Sequence, residues 1–235
     1  FFVILDEMNL ARVEHYFSDF LSILETRERD GELIKTSPVV SDSSVNRGIP
    51  VTIPQNLVIV GTVNMDETTH PFSRKVLDRA NAIEMNHIHL PWAVSQTEEV
   101  NEIGGVYADS FVAPYLNSIE LSPMQKSDLN TVINLLVRIN ELLEPAGLHF
   151  GYRVRDELAF YIAQHTLLGF EKANIMTADD ALDYQLMQKV LPRIQGSSMA
   201  VLADLKDTPK YPRSIKKLMF MLQRFNDDGF TSFWL

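Results

Sequence analysis

The 235-residue sequence has no cysteine. That excludes a disulfide framework and thiolate chemistry, and it fits a reducing compartment. No apolar run approaches the roughly 20 residues that a membrane-spanning helix needs. The first residues carry no basic stretch and run straight into Asp6 and Glu7, so they are not expected to be a secretory signal. Positive charge is also short: 21 Lys and Arg stand against 31 Asp and Glu, for a net charge of −10. This disfavours a globally basic face for nucleic acid and leaves a local patch open. The ten glycines never take the G-x-x-x-x-G-K-[ST] spacing of a phosphate-cradling loop. There is no internal repeat and no low-complexity tract. The expectation is a globular, cytoplasmic protein without a membrane partner.

What is present falls into an α/β part and a helical part. Residues 1–5, "FFVIL", read as a short buried strand. Asn9 is placed to cap a helix in which Leu10, Val13, Phe17, Phe20, Leu21 and Leu24 recur at three- and four-residue steps. Residues 31–55 read as a hairpin or ordered loop with two β-like pieces, "ELIKT" and "IPVTI". "NLVIVGTVN", residues 56–64, is a second buried strand, and "FSRKVLDRA" a short helix. "NAIEMNHIHL" alternates like a third strand and stops at Pro91. From Ser127 onward the pattern is helical. Val132, Leu136, Ile139 and Leu143 make one stripe, "GYRVRDELAFYIAQHTLLG" and "TADDALDYQLMQKVLPRI" two further helices, and Ile215, Leu218, Leu222 and Phe225 the face of a fourth.

The strands are separated by a helix and long connections, which favours parallel pairing. Open parallel sheets bind ligands beyond the carboxyl ends of their strands. Asp6 and Glu7 stand at one such end, where an Asp can hold Mg²⁺ and a Glu can deprotonate water for attack on a phosphoryl group. Asn64 ends the second strand, and its carboxamide can hold that water or a phosphate oxygen. Arg79 can reach a phosphate in a neighbouring subunit; the plain alternative is an ion pair with Asp78 or Glu84. Lys35 and Arg47 lie in the polar segment 31–55 and are candidate DNA contacts, against a solvated hairpin. His87 and His89 share a strand face but lack a third ligand, so they read as ordinary polar positions.

Together "ILDEMN", "VIVGTVNMDETTHPFSRKVLDRA", "FGYRVRDEL", "QLMQKVLPRIQGSS" and "GFTSFW" resemble the McrB-like branch of AAA+ nucleoside triphosphatases, motor subunits of 5-methylcytosine-specific restriction systems. The resemblance implies a partial AAA+ core, an α/β fold with a parallel sheet lacking the P-loop strand, followed by an all-helical lid domain. It implies boundaries of 1–95 for the core, 96–126 for a linker and 127–235 for the lid. Asp6 becomes the Mg²⁺ ligand and Glu7 the base for the lytic water. Asn64 becomes a sensor, and Arg79 an arginine finger with Arg74 as second choice. Arg153, with Arg155 as runner-up, contacts the γ-phosphate from the lid. Glu67 stands where the guanine-selective members carry Asp, which favours ATP over GTP. The resemblance places a P-loop ahead of Phe1, so that the chain begins mid-domain and does not turn over nucleotide alone. It also implies a ring oligomer, a hexamer, acting on DNA with an McrC-like nuclease. Two other readings use the same residues: an interaction module with decayed AAA+ features, and a MoxR-like ATPase that remodels proteins.

Overall fold

The computed structural model describes residues 1–40, 46–66, 68–86, 115–121, 123–196 and 211–234. It is mixed α/β. Strand β1 (Phe2–Leu5) pairs in parallel with β4 (Val58–Gly61), in the register Phe2 to Val58 and Leu5 to Gly61. A hairpin, β2 (Glu28–Asp30) and β3 (Leu33–Lys35), stands apart from this pair. The parallel pairing follows from the chain between the strands, which is long enough for a crossover.

The strands read as buried are not. Phe2 is 61% exposed and Ile4 67%, and Val60 on the partner strand is 43% exposed. A two-stranded ribbon has too little surface on either side to cover its own β-branched side chains. The single helix expected after Asn9 is also broken. A 3₁₀ turn (Met8–Leu10) precedes α1 (Val13–Tyr16), and α2 (Ser18–Ile23) runs into a second 3₁₀ turn (Leu24–Thr26). Phe17, at φ −105 and ψ 6, interrupts the two helices. Asn9 caps nothing, because Arg12 occupies the N-cap of α1. Instead Asn9 is buried, and its Nδ2 donates to the Asn64 carbonyl at 2.8 Å. The apolar stripe still works in part. Val13 and Leu21 meet Val76 of α3 (Arg74–Leu77), with Met8, Phe17 and Phe72 against them.

Residues 81–86 form no strand. The alternation there serves a different contact: Ala82 N–H donates to Gln188 O at 2.9 Å, and Glu84 receives Lys217 at 2.5 Å. This piece is stitched to the helical region rather than to the sheet. The rest of the expected third strand, with His87 and His89, lies outside the described residues, as do Glu67 and the linker positions 96–114.

The helical region is built on α4 (Pro123–Leu143), α5 (Tyr152–Leu167), α6 (Ala178–Gln185) and α7 (Pro212–Asp228). The expected stripe of α4 is the buried one: Val132, Leu136 and Ile139 are 3% exposed and Leu143 is fully covered. It packs with Val154, Leu158 and Ile162 of α5, Leu182 of α6, and Leu218 and Met221 of α7. Burying each such side chain contributes about 1.5–3 kcal/mol. Thr177 and Asp180 form a reciprocal capping box at the start of α6,. Asp183 is fully buried because it caps α7, accepting from the backbone N–H groups of Arg213 (2.8 Å) and Ser214 (2.9 Å). A carboxylate at a helix N-terminus is favoured by the unpaired N–H groups and by the dipole. After α6 the helix widens into a π turn (Leu186–Val190). Strand β5 (Gln195–Gly196) and β6 (Thr231–Ser232) close the region, and Trp234 Nε1 donates to Pro192 O at 3.0 Å. Among the described residues no helix is long and apolar enough to cross a membrane.

Candidate functional site

The parallel register places two loop starts at the same end of the ribbon. Leu5 stands beside Gly61, so Asp6 and Glu7 emerge next to Thr62, two residues ahead of Asn64. Thr62 ties the two together. Its N–H donates to Leu5 O at 3.0 Å, its carbonyl accepts from Met8 N–H at 2.9 Å, and its hydroxyl donates to Asp6 Oδ1 at 2.5 Å. The same hydroxyl oxygen accepts the Glu7 N–H at 2.9 Å. Asn64 is fixed through its backbone: its carbonyl accepts from Asn9 Nδ2 at 2.8 Å and from Thr69 Oγ1 at 2.9 Å, while the residue itself is exposed.

Glu7 has φ 49 and ψ 45, in the left-handed region. A non-glycine residue there costs about 1–2 kcal/mol, and such costs gather at functional loops. The turn lets Met8 fold back over the end of β4. Gly61 makes room for it, since a Cβ added at Gly61 would lie 2.5 Å from Met8 Sδ. Asp6 and Glu7 are both exposed. One Asp6 oxygen is oriented by Thr62 and the carboxylate stays open to solvent. That is the donor set Mg²⁺ accepts, one or two carboxylates with water and phosphate oxygens completing the shell. Among the described residues no three His, Asp or Glu side chains converge on a metal.

The arginines lie elsewhere. Arg79 follows α3, and its head turns inward onto Glu25, with Nη1 also donating to Lys75 O. Asp78, the plain partner considered for it, is taken by Arg193, and Glu84 by Lys217. Arg153, in the first turn of α5, lies 3.3 Å from the same Glu25 oxygen. The structure thus brings Arg79 and Arg153 together on Glu25, in the 3₁₀ turn that ends the α2 stretch. Arg74 donates to Gly147 O at 2.6 Å. Arg155 is bound to Asp156 Oδ1 through Nε (2.9 Å) and Nη2 (2.6 Å) and stacks over Tyr152. Lys35 pairs with Asp30 across the hairpin. Arg47 is exposed at φ 56 in the turn Asn46–Gly48.

A charged seam joins the two regions beside the arginines. Lys189, on the π turn, is 1% exposed; it donates to Ala80 O at 2.9 Å and pairs with Glu157. Burial pushes the Glu157 carboxyl up and the Lys189 ammonium down, and their mutual attraction opposes both shifts,. Arg193 is 5% exposed, pairs with Asp78 and donates to His149 O at 3.0 Å. Sequence reasoning missed Thr62 and Glu25, and gave Asn9 a different role, that of a helix cap. Thr62 and Asn9 had a weak signal, a hydroxyl and an amide inside the two strand-end motifs; Glu25 had none beyond its place in a charged turn.

A family model described as "Domain of unknown function (DUF8727)" matches residues 105–230. No curated protein and no solved structure matches the chain.

Proposed function

The chain belongs to the DUF8727 family, and we propose that it works in a Mg²⁺-dependent nucleoside triphosphatase of the McrB-like AAA+ kind. One observation carries this reading. The parallel register sets Asp6, Glu7 and Asn64 at a shared strand end, with Glu7 held in a left-handed turn by Thr62. Asp6 is the cation ligand, kept in place by the Thr62 hydroxyl. Mg²⁺, when bound, neutralises charge on the phosphate oxygens. Glu7 takes the proton of the attacking water, and Asn64 orients that water. Arg79 and Arg153 serve a phosphate at the other end of the α1–α2 stretch, which suits a site completed between copies of the protein in a ring. Arg155, committed to Asp156, is the weaker nucleotide contact. ATP is the favoured nucleotide, with GTP as the alternative. The sequence contains no phosphate-cradling glycine loop, so that cradle comes from outside these residues. DNA, met by Lys35 and Arg47 on the hairpin side, and an McrC-like nuclease complete the proposed set of partners.

The test is Glu7→Gln in the natural protein that carries this chain. The amide keeps the shape of the carboxylate and loses its basicity. Turnover is expected to fall by about 10²–10⁴-fold with nucleotide binding retained. Near-normal turnover would remove Glu7 from the chemistry and leave it as a residue that ends a strand.

A further inference from the structure

At the seam, two guanidinium groups from different regions share a single carboxylate oxygen. Arg79 Nη2 and Arg153 Nη2 both face Glu25 Oε1, the latter at 3.3 Å. The arrangement is lopsided. The Arg79 side chain is 14% exposed, Arg153 41% and Glu25 50%. The carboxylate is therefore a half-exposed cover on a more deeply set cation. Arg79 Nε is buried with no hydrogen-bond partner, so the deeper guanidinium retains donor capacity that Glu25 does not use. A group of this kind recognises anions with several oxygens.

The charge balance points the same way. Arg27 and Lys189 face Glu157 nearby, and Arg153 also acts on it. Arg27, Arg79, Arg153 and Lys189 gather around Glu25 and Glu157, and Asp78, which also acts on Lys189, is paired with Arg193. This local positive excess sits in a chain of net charge −10. Burial and then repulsion from Arg153 lower the Arg79 guanidinium from its usual range. One carboxylate does not satisfy the pair. Glu25 itself lies on the short 3₁₀ turn that ends the α2 stretch, with its side chain half-exposed.

We infer that Glu25 is an internal competitor for phosphate: it occupies the site formed by Arg79 and Arg153 until a phosphoryl group displaces it. The inference rests on the proposed function only in taking a nucleotide as the carrier of that group. It adds a restraint to that function, because the arginine pair becomes available when Glu25 leaves.

The experiment is a calorimetric titration of the 235-residue chain with inorganic tripolyphosphate. Glu25→Gln is expected to tighten binding by about tenfold or more, a difference of about 1.4 kcal/mol. Adding Arg153→Ala to Glu25→Gln is expected to abolish the gain. Unchanged affinity in Glu25→Gln, or a gain that survives loss of Arg153, would overturn the inference. The wild-type chain gives a reading independent of any variant's folding. Saturating tripolyphosphate should move the guanidinium NMR signals of Arg79 and Arg153 and leave that of Arg155 in place; stationary Arg79 and Arg153 signals would contradict the inference. Repeating the titration of Glu25→Gln with orthophosphate and with ATP separates free phosphate from nucleotide as the source. A failed phosphate titration with a Glu7-dependent turnover would sink the competitor and spare the triphosphatase. Phosphate binding as expected, with turnover indifferent to Glu7, would do the reverse.

Discussion

The helical region (residues 115–121, 123–196 and 211–234) and the α/β region (residues 1–40, 46–66 and 68–86) handle the same apolar side chains in opposite ways. In the first, Leu143, Leu158, Val190 and Met221 lose all contact with solvent inside one continuous cluster. In the second, the corresponding cluster holds Val13, Leu21 and Val76, while Phe2, Ile4 and Val60 stay exposed on the parallel ribbon. Hydrophobic burial scales with the area removed from water, so most of the stabilisation lies on the helical side. The proposed chemistry stands on the other side, at the strand ends. Functional loops are commonly drawn from the less stable parts of a fold. Here the weaker region is held to the stronger one by Lys189, Arg193 and Lys217, each of which reaches across to residues 78–84.

The largest effect is expected from cutting that tie. Lys189→Met removes the ammonium paired with Glu157 and the donor to Ala80 O, at a cost of about 3 kcal/mol,. If the seam couples the regions, the variant will show two separate transitions in a denaturant titration followed by far-UV circular dichroism and by tyrosine and tryptophan fluorescence. A single transition shifted as a whole would mean that the regions are coupled through other contacts.

A smaller effect belongs wholly to the helical side. Hydrogen bonds from Arg213 and Thr177 lower the Asp180 carboxyl from 3.8 to about 2. A depressed carboxyl stabilises the fold above its unfolded value, and the contribution is lost as pH falls through the folded one. Stability is therefore expected to decline between about pH 4 and pH 2 on this account. Asp180→Asn should flatten that part of an acid titration, and an unchanged slope would show that other carboxylates carry it.

The contrast between the regions explains which parts were legible in the sequence. The stripe Val132, Leu136, Ile139 and Leu143 was readable because helical periodicity and burial coincide,. The parallel pairing of the strands that end before Asp6 and Thr62 was readable because two β-branched runs are separated by a long connection,. Residues 81–86 misled because alternation fits any segment with one covered side, and these dock on the π turn through Ala82 and Gln188. The helix after Asn9 misled because its periodicity continues through the break at Phe17. Glu25 and Lys189 carried no local signal. Glu25 meets Arg79 and Arg153, and Lys189 meets Ala80 and Glu157, all more than thirty positions away, and only the tertiary fold creates the need for them.

The most direct measurement is native-state hydrogen exchange on the 235-residue chain, resolved by residue. The central claim is that the acid pair stands on the less stable of two regions. It predicts that the ladder amides of Val58–Gly61 and the Thr62 amide exchange through small openings. The amides of Leu158 and Ile162, inside the main core, should exchange only at a free energy near that of global unfolding. Equal protection at the two sets of amides would contradict the account, because the strand-end site would then stand on the same cooperative unit as the helical core.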